Sequence, residues 1–145
     1  MYRYIGVICA AVLSTSAFSE DNYQRSAYCL SSKDGKVNFM LVHLSSTRDG
    51  WNGSYVKYNK SDKAISLIYN KSEYEEYPDN SKPMVESFYN EYVNGEFNGE
   101  YIISSQGAVI YDLVYRGENG KEVQFEISKN AELQGEPGVC VWPRK

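Results

Sequence analysis

From residue 20 onward, apolar residues come in short runs, broken by Gly, Asn and Asp. The runs are rich in Tyr, Val and Ile, residues that fit a pleated, half-buried surface. There is no long capped amphipathic helix, internal repeat or linker. The pattern predicts an all-β domain.

The clearest turn signal is Asn94-Gly95, inside "VESFYNEYVNGEFNGEYII". A two-residue turn there pairs Val93 with Glu96. Continued without interruption, that register sets Tyr92 opposite Phe97 and Phe88 opposite Tyr101, with Ile103 beyond. Glu91, Glu96, Asn98 and Glu100 then fall on the other face. A slip of one residue exchanges the two faces. Val85, Phe88, Tyr89 and Tyr92 also have helical spacing, but the strand reading is preferred because one hairpin accounts for both arms.

Two further turns extend the sheet. Ser105-Gln106-Gly107, read as a three-residue loop, puts Ile103 opposite Val109 and Tyr101 opposite Tyr111. Glu118-Asn119-Gly120 pairs Tyr115 with Val123 and Leu113 with Phe125. Upstream, Asp34-Gly35 and Asp49-Gly50 mark turns among candidate strands Ala27–Leu30, Val37–Leu44, Trp51–Tyr58 and Ala64–Tyr69. Val139–Trp142 is a last short strand. Eight or nine strands in up-and-down order imply a small antiparallel barrel or a sandwich. The barrel is preferred, because closure removes edge strands.

The first nineteen residues stand apart. Arg3, an apolar run from Tyr4 to Leu13 and small polar residues up to Ser19 have the order of a secretory signal peptide. The run is too short to span a bilayer. The expected organisation is therefore a signal peptide over 1–19 and one β domain over 20–145, periplasmic or secreted. That domain keeps Cys29 and Cys140. In an oxidising compartment they are expected to pair, closing a loop that the chain-entropy model values at about 4–5 kcal/mol.

Charge adds a surface to the picture. Without Arg3 the chain has 14 bases against 19 acids, a net of −5. Residues 73–100 hold eight of the acids and a single base, Lys82. "SEYEEYPDN" opens this segment, with Glu73, Tyr74, Glu75, Glu76, Tyr77 and Asp79. With Glu91, Glu96 and Glu100 these form a candidate docking surface for a basic protein, since tyrosines supply contact area and carboxylates steer a cationic partner. Such a run can equally be a solvated loop. A second candidate is the barrel interior. There Tyr92, Tyr101, Tyr111 and Tyr115, with Trp51 at the mouth or as a plug, are expected to surround a small amphipathic ligand or simply to fill the core.

Other chemistries find little support. His43 is the single histidine, on the face of Val37, Phe39 and Leu41, and is expected to be partly buried with one hydrogen-bond partner. Neither a metal-ligand set nor a cofactor motif is legible. The charge lacks the basic footprint of nucleic-acid binding. The expectation is a non-catalytic protein without cofactor; an enzyme using paired carboxylates is the remaining alternative. Asn52, Asn59 and Asn70 each begin an N-x-S sequon; in a bacterial host they are expected to be bare.

The combination of signal peptide, small acidic β domain and one disulfide resembles the periplasmic lysozyme inhibitors of bacteria, compact β proteins that block a strongly basic enzyme. Their inhibitory Ser-Gly-x-x-Tyr type element is met here only by "NGSY", Asn52 to Tyr55, which has the residue types in another order, so no inhibitory residue carries over. The "GEY…SQGA" hairpin, Gly99 to Ala108, is similar to that of short secreted proteins of Gram-negative bacteria. The resemblance implies a β fold and, through the first group, inhibition of a basic hydrolase such as lysozyme.

Overall fold

The computed structural model describes residues 23–78, 82–135 and 138–143. The expected signal peptide and Asp79 lie outside them. Eight antiparallel strands close into a barrel in chain order. They are β1 (Tyr23–Ser32), β2 (Asn38–Ser46), β3 (Asn52–Tyr58), β4 (Ile65–Glu75), β5 (Met84–Val93), β6 (Glu96–Gln106), β7 (Val109–Gly117) and β8 (Glu122–Ile127). Two short strands, β9 (Glu132–Gln134) and β10 (Val139–Val141), form a separate ladder. No helix occurs among the described residues. Residues 84–93 are strand, and the barrel is the architecture formed.

The expected turns form where left-handed backbone is needed. Asn94 and Gly95 both have positive φ (53° and 84°), as a type I′ hairpin requires, and Val93 pairs with Glu96. The β7–β8 hairpin also has the expected register, Leu113 with Phe125 and Tyr115 with Val123.

Two β-bulges change the rest. Beyond the Tyr92–Phe97 pair, Asn98 is an extra residue and the register moves by one. Tyr89, not Phe88, lies opposite Tyr101, and Phe88 pairs with Ile102. The faces are thereby exchanged. Glu91 turns into the barrel, while Tyr92 and Phe97 stay 40% and 42% exposed, in ring contact with each other. Asn98 is held in its bulge by Glu118, whose backbone N–H donates to the Asn98 carbonyl at 3.1 Å.

The second bulge lies beside the next turn, a two-residue turn at Gly107-Ala108 with Gln106 opposite Val109. Tyr111 is the residue skipped, so Tyr101 pairs with Tyr115 and Ile103 with Leu113. The expected Ile103–Val109 and Tyr101–Tyr111 pairs do not form. A two-residue turn brings the strands together nearer the tip than a three-residue loop does.

The core fills the barrel with Leu30, Phe39, Leu41, Tyr101, Leu113 and Phe125, all at 3% exposure or less. A second, smaller cluster lies outside the wall. Met40 and Val42 pack there with Cys29, Cys140 and Trp142. The Cys29–Cys140 disulfide (Cα–Cα 5.6 Å) fastens β10 to β1 at this cluster. A formed disulfide is what an oxidising compartment maintains. The β1–β8 seam that closes the barrel is short, pairing only Leu30–Ser32 with Phe125–Ile127. Next to it, the Ser128 N–H donates to the Cys29 carbonyl at 2.8 Å.

Candidate functional site

The interior has a filled half and an open half. The filled half lies toward the Asn94-Gly95 turn and centres on Glu91, 2% exposed and the only buried carboxylate among the described residues. Burying a carboxylate without a cation costs several kcal/mol unless its oxygens accept hydrogen bonds. Three side chains donate here. The Tyr101 hydroxyl reaches Oε2 at 2.8 Å, the Tyr115 hydroxyl reaches Oε1 at 3.2 Å, and the Asn98 amide donates to Oε1. Tyr58 lies 2.5 Å from the Tyr101 oxygen. Since Tyr101 gives its proton to Glu91, Tyr58 acts as the donor in that pair. Burial, with the neighbouring Tyr58 and Glu91, drives the Tyr101 hydroxyl far above its ordinary range. Burial and Glu91 raise Tyr115, and burial raises Tyr58.

Gly99 makes room for this network. A Cβ on Gly99 would stand 2.5 Å from the Tyr115 hydroxyl oxygen. The bulge, the glycine and the buried acid are thus parts of one local solution.

The open half is a cavity of about 620 Å³ at the opposite end of the barrel. Leu44, Leu67, Ile103, Ala108 and Ile110 give it apolar surfaces. An arc of rings borders it. Tyr28 meets His43 at 6.1 Å, His43 meets Tyr89 at 5.9 Å, and Tyr89 meets Tyr69 at 5.7 Å between centroids. Hydroxyls lie among the rings. His43 Nδ1 is 2.6 Å from Ser54 Oγ, its cross-strand neighbour. The Tyr69 hydroxyl donates to Ser72 at 3.1 Å, and Ser72 lies 3.0 Å from Ser87. Burial pushes the His43 imidazole below its ordinary pKa and the Tyr89 hydroxyl above its own. Among the described residues, no Asp, Glu, Lys or Arg lines the cavity. Among the described residues, no group of three or more His, Cys, Asp or Glu is placed to hold a metal.

The residues expected from sequence are redistributed by this geometry. Of the interior candidates, Tyr101 and Tyr115 are inside but belong to the filled half. Tyr92 and Tyr111 are outside, the latter 58% exposed with its hydroxyl donating to Gln106 at 3.2 Å; both are removed from the interior by bulges. Trp51 is neither mouth nor plug. It is 51% exposed beside Tyr23 and Leu44, outside the cavity, with its indole lying over Gly53 where a Cβ would meet it at 2.8 Å.

The acidic candidates also divide. Glu91 is a correction, inside rather than on the outer face. Glu73, Tyr74 and Glu75 belong to β4, which runs past its expected end at Tyr69 and carries half of the acidic stretch as strand. Glu76 and Tyr77 follow it, exposed. Glu96 is exposed at the hairpin end. Two of the acids have cations beside them: Lys71 Nζ is 2.5 Å from Glu73, and Arg116 is 3.5 Å from Glu100 while bonding Glu122 at 2.8 Å. Lys71 also covers Phe88, at 4.6 Å from the ring centre, which lets this apolar side chain occupy the outer wall. A row not foreseen runs across the strands instead. Glu73 pairs with Glu86, Glu86 with Ser104, and Ser104 with Asp112.

The arc Tyr28–His43–Tyr89–Tyr69 was missing from the sequence expectation except for His43, which does have its single side-chain hydrogen-bond partner. Period-two alternation from Leu67 to Tyr69, and from Ser87 through Tyr89 to Glu91, is the signal that finds it once the Asn98 bulge is allowed.

No protein-family model, curated protein or solved structure matches this chain.

Proposed function

We propose that this protein is a non-catalytic binding protein, and that its barrel holds a small, uncharged, amphipathic molecule in the open half. The observation that carries this reading is the division of the interior. One half is filled by a satisfied polar network, and the other keeps a cavity of about 620 Å³ with apolar and hydroxyl surfaces and no charged residue among the described ones that line it. Small-molecule sites commonly occupy about 300–1,000 Å³ and combine apolar walls with a few polar groups. His43 and Ser54 satisfy each other across two strands, and no carboxylate among the described residues bonds the imidazole, which favours binding over acyl transfer.

The test is titration of the oxidised domain with N-phenyl-1-naphthylamine, an uncharged amphipathic dye that brightens in apolar surroundings. Saturable fluorescence is expected, and Ser105→Trp, which fills the rim of the cavity, is expected to abolish it with the fold intact by circular dichroism. Fluorescence that never saturates, or that Ser105→Trp leaves unchanged, removes the reading.

A second reading, inhibition of a basic hydrolase such as lysozyme, is favoured by the outer wall. Glu73 directly opposite Glu86 is a like-charge pair, which costs stability in a sheet, and Tyr74 beside it is 68% exposed. A cationic partner would relieve that repulsion. Calorimetry against basic lysozymes is expected to show salt-sensitive binding that Glu75→Lys with Glu76→Lys weakens. Absence of heat and of inhibition removes this reading and leaves the first.

A further inference from the structure

We propose that the molecule held in the open half is a neutral saccharide, its ring laid against the arc of Tyr28, His43, Tyr89 and Tyr69. The proposal rests on the small-molecule reading above and adds the chemical class.

Three features of the cavity point this way. The first is the continuity of the aromatic arc, with neighbouring centroids 5.7–6.1 Å apart across β1, β2, β5 and β4. A pyranose presents a face of weakly positive C–H bonds, and aromatic rings present a negative face of matching size. Tyr69 is 57% exposed although it lines the cavity, so its ring is available for such a contact.

The second feature is the spacing of the hydroxyls. Ser54 bonds His43, while Ser72 bonds Tyr69 and Ser87. A serine hydroxyl has one donor and two acceptor sites, so each keeps capacity after these bonds. An acyl chain entering the cavity displaces water from those groups without replacing its hydrogen bonds, which is unfavourable. A sugar replaces them hydroxyl for hydroxyl.

The third is that no described residue of the lining carries a formal charge, so an anionic headgroup or phosphate would find no counter-charge among those residues.

The experiment is saturation-transfer NMR on the oxidised domain with maltose, cellobiose and N,N′-diacetylchitobiose. Digalacturonate serves as an acidic disaccharide and N-phenyl-1-naphthylamine as an apolar competitor. The expected result is transfer to at least one neutral disaccharide, with titrating shifts of the His43 and Tyr89 ring signals and displacement of the dye. Tyr69→Ala is expected to abolish the transfer. Ser87→Val, which removes a hydroxyl at nearly constant volume, is expected to weaken the sugar at least several-fold and not to weaken the dye. Saturable dye binding without transfer to any neutral disaccharide overturns the saccharide class and leaves the carrier reading standing; so does preference for digalacturonate. Absence of binding by sugar and dye alike overturns both.

Discussion

Tyr89 and Tyr101 are cross-strand partners on the inner face of the same hairpin, yet they belong to opposite kinds of interior. Tyr101 is fully buried, locked between Tyr58 and the Glu91 carboxylate. Tyr89 is only partly buried and faces a cavity, in ring contact with His43 and Tyr69. The two halves draw on the same residue types. The difference lies in what the hydroxyls converge on. Around Glu91 every donor has a strong fixed acceptor and the space is full. Around His43 the hydroxyls bond one another and retain capacity, and the space is empty. A satisfied polar network stabilises the fold, and an under-committed one is available to a ligand.

The comparison is broken most severely by truncation. Tyr101→Ala removes a filled-half ring and leaves Glu91 short of a donor, so a loss of about 3–5 kcal/mol is expected in urea unfolding. Tyr89→Ala, at the paired position, is expected to cost under about 2 kcal/mol because its site is already open. Equal losses would show that the halves are not distinct.

Alkali tests the same contrast through ionisation. Tyr58, Tyr101 and Tyr115 have raised pKa values in the fold. Their contribution is therefore complete below the unfolded value near pH 10 and falls as pH rises beyond it. Tyr101 alone gives a slope of about 1.4 kcal/mol per pH unit there. Absorbance titration is expected to show these tyrosinates appearing only as the fold is lost.

A smaller probe is Gly99→Ala. Its Cβ must displace the Tyr115 ring, whose hydroxyl oxygen and two nearest carbons would lie 2.5, 2.6 and 2.7 Å away, a change expected to cost about 1–3 kcal/mol. Tyr115→Ala, which removes the clashing ring, is expected to make the two changes cost less together than the sum of each alone, measured by a double-mutant cycle.

The smallest effect belongs to His43. Burial lowers its folded pKa, so the unfolded chain takes up the proton first. Stability is present above about pH 6.5 and declines as pH falls below it. His43→Gln is expected to flatten this acid limb in melting curves.

How much of this was legible from sequence depends on which turn is considered. Glu118-Asn119-Gly120 announced both its position and its register, because no bulge lies between it and the Leu113–Phe125 pair. Asn94-Gly95 announced its position and its first two pairs. Asn98 then cancelled the rest, and nothing local gave warning. "SFYNEY" has aromatics in both alternating sets, Phe88 and Tyr92 in one and Tyr89 in the other, so either face reads as apolar. The correct set also includes a glutamate, which hydrophobic patterning rejects. Only the convergence of Tyr101, Tyr115 and Asn98 makes that choice favourable, and those partners come from β6 and β7. Tyr111 was misassigned for a related reason, a bulge opposite Ser104 and Ser105. Trp51 was misassigned because Gly53, two residues on, accommodates its ring on the outer wall. The outer row of Glu73, Glu86, Ser104 and Asp112 required the same registers.

The Cys29–Cys140 bond has a further consequence for resistance to proteolysis. It makes a covalent ring of the chain from the first barrel strand to the last short one, and every barrel turn lies within that ring. A protease that cuts one exposed turn therefore releases no fragment, because both pieces remain joined through the sulfurs. The nicked molecule keeps its strand partners at intramolecular concentration and can hold or regain its shape, and the damage becomes visible as two chains only after reduction.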